Sequence, residues 1–99
     1  SPELALSAEH QLLLNSGLLD IVAADLDFVG RQIFDIQMKL YQANKRLDTA
    51  KEVSEKNSAK QDVDFFNEQL ETLKKEYEEI RTGKRADKYM HAAYSALNK

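Results

Sequence analysis

Ten apolar residues, Leu19, Val22, Leu26, Val29, Ile33, Ile36, Leu40, Ala43, Leu47 and Ala50, follow one another at alternating steps of three and four. A strand returns to the same face every second residue, so only a helix gathers this series into one stripe, the a/d seam of a heptad repeat. The spacing predicts a long helix over 16–55, with Asn15 or Ser16 as its N-cap and a turn at Lys56-Asn57-Ser58. At about 1.5 Å per residue, such a helix of roughly 40 residues spans about 60 Å. That is wider than a compact globule of 99 residues, so the chain must fold around this helix.

A second seam follows, in which Val63, Phe66, Leu70, Leu73, Tyr77 and Ile80 keep the same alternation. It predicts a helix over 59–82, opened by Ser58 and Gln61 in the form of a capping box. Glycine disfavours a helix interior and suits a C-cap, so Thr82-Gly83 marks a break or kink. Beyond it, Ala86, Tyr89, Met90, Ala93, Ala96 and Leu97 share one face of a C-terminal helix over 85–98, while Leu4, Leu6, Leu12, Leu13 and Leu14 suggest a short leading helix over 3–14. A short turn between two heptad helices favours an antiparallel return. The expected fold is all-α: an antiparallel helical hairpin or coiled-coil-like bundle, with residues 1–99 as one domain.

Charge is distributed unevenly. Residues 1–30 hold Glu3, Glu9, Asp20, Asp25 and Asp27 with no Lys or Arg, whereas residues 84–99 hold Lys84, Arg85, Lys88 and Lys99 against Asp87. A hairpin turning between Asn57 and Ser58 sets Asp27 opposite Lys88 and Gly30 opposite Arg85. Exposed ion pairs contribute only about 0–1 kcal/mol each, so this complementarity selects register more than it stabilises. Gly30 interrupts the long helix, and a close helix–helix approach is the favoured reason.

The N-terminal part of the long helix carries more apolar surface than one seam buries. Leu18, Ile21 and Phe28 lie on one flank of the stripe, and Phe34, Met38 and Tyr41 form another row. Burial of a large apolar side chain is worth about 1.5–3 kcal/mol, so further surface is expected to cover these six. The candidates are the leading helix, a different protein, or a second copy of the chain, with self-association into a homo-oligomer favoured.

Catalytic chemistry lacks its parts in this sequence. His10 and His91 are the two histidines and neither sits at metal-ligand spacing, so no metal or other cofactor is expected. Glu76, Glu78 and Glu79 sit beside Lys74 and Lys75 on a solvated face, and Gly17, Gly30 and Gly83 are isolated glycines that make no phosphate loop. Zero cysteines remove disulfides and thiolate nucleophiles, and place cytosol or nucleus as the default compartment. No apolar run approaches the roughly 20 residues of a membrane span, and no leader is evident. The competing function is a charge-driven binder of nucleic acid or an anionic surface through Lys84, Arg85 and Lys88 with their neighbouring tyrosines. The acidic balance of the whole chain and the shortness of the cluster weigh against nucleic acid and against a membrane surface, so docking on Asp20, Asp25 and Asp27 is preferred. The expectation is therefore a non-enzymatic scaffold or adaptor module working through helix–helix contacts. A small helical chaperone or secretion partner would differ only in its client.

Overall fold

The computed structural model describes residues 17–97, with the side chains of Leu18, Ala93, Ala96 and Leu97 excepted. Three helices make up the fold: α1, Leu18–Thr49; α2, Val53–Arg81; and α3, Ala86–Leu97. The two long helices pack against each other as a helical hairpin, and no strand occurs among the described residues. The expected leading helix over 3–14 lies outside the described residues.

By their contacts the residues fall into two compact units, one of them Phe28–Glu78. Its core follows the two seams. Val29, Ala43, Ala59 and Leu70 are buried, and Ile33, Ile36, Leu40, Leu47, Val63, Phe66, Leu73 and Tyr77 are half-buried. Ala43 and Ala59 retain only 0% and 1% of their exposure, because small side chains at the seam let two helix backbones approach closely. The remaining seam residues stay partly open, since one facing helix covers one side of a heptad stripe and leaves its borders to solvent.

The turn is earlier than the sequence suggests. α1 ends at Thr49 rather than near Glu55, and α2 starts at Val53 rather than at Ala59. The Thr49 hydroxyl donates to the Lys45 carbonyl (2.9 Å) and the Ala50 amide to the Arg46 carbonyl (2.9 Å), so two carbonyls near the end of α1 gain partners without a glycine. Glu52 then acts as the N-cap, its carbonyl accepting from the Lys56 amide at 3.0 Å, and Glu55 lies in the positive first turn of α2. Lys56, Asn57 and Ser58 are exposed helical positions, and the Ser58/Gln61 pair caps nothing. Polar residues at exposed helix sites cost only tenths of a kcal/mol each, which the burial of Ala59 immediately after them offsets.

The register shifts with the turn. Arg46 Nη2 meets Asp62 Oδ2 at 2.7 Å, and Gly30 faces the Tyr77 ring rather than Arg85, about two helical turns from the expected pairing. A Cβ built on Gly30 would lie 3.8 Å from Tyr77 Cε2, which is ordinary contact distance. Close approach therefore does not require glycine here. Gly30→Ala should stabilise the protein by about 1 kcal/mol through helix propensity, measured as a raised urea midpoint with unchanged slope.

Among the described residues, the other unit comprises 17–27 together with 79–97. In it the break near Gly83 takes a defined form. Gly83 has φ +79°, its amide donates to the Ile80 carbonyl (3.2 Å), and the Lys84 amide donates to the Glu79 carbonyl (2.9 Å). Those two bonds are a Schellman motif, which needs a left-handed residue just past the helix end. The Gly83 carbonyl then accepts from the Ala86 amide at 3.0 Å as the chain enters α3. Because the site is open, Gly83→Ala meets no clash, only backbone strain, and should lower stability by about 1 kcal/mol in the same urea assay. Ile80 and Tyr89 are buried here and Met90 is half-buried, whereas Leu19 and Ala86, expected on the apolar faces, are exposed.

Candidate association surface

A helix in a hairpin has one covered side, so large apolar residues elsewhere on it meet solvent. That is where the expected contact residues lie. Ile21, Phe28, Phe34, Met38 and Tyr41 are all exposed, while the side chain of Leu18 lies outside the described part. They do not form one patch. Phe34, Met38 and Tyr41, exposed at 61%, 45% and 56%, stand at i, i+4 and i+7 and so share a single face of α1. Phe28, six residues before Phe34, is turned to a different side of the helix.

The row is longer than its apolar members. Arg31 precedes Phe34 by three residues, and Lys45 and Asp48 continue it at steps of four and three, all three exposed. Lys45 Nζ stands 5.2 Å from the centroid of the Tyr41 ring, a cation–π contact that places the ammonium beside the apolar row. α1 thus carries a second heptad series, Arg31-Phe34-Met38-Tyr41-Lys45-Asp48, on a face away from α2. Its spacing was present in the sequence but concealed by its charged ends. Phe65, also missed, is exposed on α2 with its ring edge-on to Phe66 at 5.5 Å between centroids.

The basic tail is arranged differently from an open cationic patch. Lys84 and Arg85 lie in the turn before α3 and Lys88 in its first turn. Arg85 Nη2 is 3.9 Å from Glu79 Oε2, while Lys84 and Lys88 are exposed. Tyr89, expected to be core, is buried, and its hydroxyl donates to Asp25 Oδ2 at 2.5 Å. The acidic start of α1 thus engages the tail through this tyrosine.

Burial, and then the Asp25 carboxylate accepting its proton, raise the Tyr89 pKa above the usual value near 10, opposed by Arg85. Both leading causes favour the neutral phenol. The resulting stability is fully present below pH about 10 and is lost as pH rises from there through the raised folded-state value. Tyr89→Phe removes a charge-assisted bond and should cost about 1–2 kcal/mol at neutral pH. In urea titrations across pH 9–12 the variant should lack the part of the alkaline loss due to this tyrosine.

A shallow open groove beside the turn is lined by Arg46, Thr49, Ala50, Ser54, Glu55 and Ser58. Its arginine is engaged by Asp62. Among the described residues no cluster of three or more metal-ligating side chains occurs, and no helix is long and apolar enough to cross a membrane. Comparison with protein-family models, curated proteins and solved structures gives no match to this chain.

Proposed function

We propose that this chain is a non-enzymatic assembly module, a scaffold or adaptor element of the cytosol or nucleus that associates with itself through helix–helix contacts. The observation that carries this reading is the exposed apolar row on α1. Three large side chains at heptad spacing remain in solvent on a helix whose other heptad stripe is already used by the hairpin. Covering such a row has the same physical motive that pairs α1 with α2, the removal of apolar area from water.

The competing reading, an anion binder built on Lys84, Arg85 and Lys88, has less to support it. Tyr89 is buried rather than available for stacking, and Arg85 lies beside Glu79. Salt separates the two. Apolar self-association should hold or tighten between 50 and 500 mM salt, while binding of a labelled oligonucleotide through the tail would weaken by orders of magnitude over that range. Steeply salt-sensitive oligonucleotide binding, lost on replacing Lys84 and Lys88 with Gln and accompanied by no self-association, would overturn the proposal.

A further inference from the structure

We infer that the occupant of the outer row of α1 is a second copy of the same chain, laid antiparallel so that Arg31 meets Asp48, Phe34 meets Lys45 and Met38 meets Tyr41 across a twofold axis. This rests on the association reading above and adds its partner, direction and register.

The order of charges along the row selects the arrangement. From Arg31 to Asp48 it runs cation, three apolar residues, cation, anion, with every member exposed. A parallel, in-register pair sets Arg31 on Arg31, Lys45 on Lys45 and Asp48 on Asp48, repelling at each charged layer. In the antiparallel arrangement each heptad layer pairs an a position with a d position of the other copy, and every layer becomes complementary. The guanidinium of Arg31 meets the carboxylate of Asp48. The Lys45 ammonium, already beside one aromatic ring of its own chain, comes over Phe34 of the other. Met38 and Tyr41 pack as a thioether against a ring, twice, about the axis.

The borders of the row agree. One side carries Gly30, Gln37 and Asn44, and the other Phe28, Asp35, Gln42 and Thr49. In this register Gln37 comes beside Asn44 and Asp35 beside Gln42, so amides meet partners and no like charges meet. A slip of one heptad that brings Phe34 onto Met38 would set Asp35 beside Asp35 of the second copy and leave Asp48 without Arg31. The overlap from 31 to 48 also ends just before α1 does at Thr49, so it uses continuous helix throughout.

A charge swap tests the pairing. Residues 31 and 48 are about 25 Å apart along their own helix, so neither can compensate the other within one chain. Arg31→Asp faces Asp48 with a second carboxylate and should weaken the dimer about tenfold at low salt, read by sedimentation equilibrium. Adding Asp48→Arg should restore the affinity to within about threefold, because the reversed pair re-forms between copies. Since the chain has no cysteine, a mixture of Met38→Cys and Tyr41→Cys chains should also form a mixed disulfide readily, whereas Phe34→Cys chains should not bridge to one another. A dimer that is indifferent to Arg31→Asp, or a double variant as weak as the single one, would overturn this packing while leaving self-association standing. A wild-type chain that stays monomeric at every concentration would overturn both.

Discussion

Leu70→Ala should lower the unfolding free energy by about 2–3 kcal/mol, seen as a lower urea midpoint with an unchanged slope. Leu70 is a buried large aliphatic residue on the α2 seam, between half-buried Phe66 and Leu73. Truncation removes transfer free energy and leaves a space that two helices fixed by their backbone hydrogen bonds cannot fully close. The effect belongs at the lower part of the range for core leucines, because half-buried neighbours have room to relax. Phe65→Ala provides the contrast. That ring is larger, but it is exposed and its ring contact is the edge of Phe66, so its loss should stay below about 1 kcal/mol. A Leu70→Ala variant as stable as the parent would mean that α2 does not present this seam to α1.

Phe34→Ser should act in the opposite sense, leaving the hairpin intact and removing its association. The side chain is exposed in the single chain, so its loss there should change stability by no more than about 0.5 kcal/mol. In a twofold assembly it is lost twice. At about 1.5 kcal/mol or more for each large apolar side chain returned to water, the dimer should weaken by about 3 kcal/mol, roughly a hundredfold in Kd. Sedimentation equilibrium measures the Kd, and far-UV circular dichroism shows that helicity is retained. Phe65→Ser is the control. Phe65 is also a large exposed aromatic residue, but it stands on α2, away from the row and its borders, so the proposed packing predicts little change in Kd.

The two kinds of residue differ in how plainly the sequence declares them. The seams from Val22 to Leu47 and from Val63 to Ile80 were legible because heptad spacing over many residues has no strand alternative, and the end of α2 because Gly83 is the residue a Schellman motif needs. The first turn was not legible. Residues 48–53 contain neither glycine nor proline, and the side chain of Thr49 and the backbone of Ala50 end α1 instead. Six residues of error in that turn were enough to misplace Gly30 opposite Arg85, since register in a hairpin is set by where the chain reverses.

The apolar members of the outer row were legible as off-seam residues, and all those described are exposed. Their organisation was not. Arg31, Lys45 and Asp48 read as ordinary surface charges until the Lys45–Tyr41 contact put one of them on the row. The Tyr89–Asp25 bond was hidden for a similar reason. Complementary ends suggested a Lys or Arg against an Asp, whereas a phenol can be buried and still donate to a carboxylate, which an ammonium does only at a larger desolvation cost.

The most direct test is the mass of the chain in solution, measured by light scattering over a wide range of concentration for the wild type and for Phe34→Ser. The wild-type mass should rise from one chain towards two, and the Phe34→Ser mass should stay at one chain over the same range. A wild type fixed at one chain, or a Phe34→Ser variant that dimerises as the wild type does, would contradict self-association through the outer row.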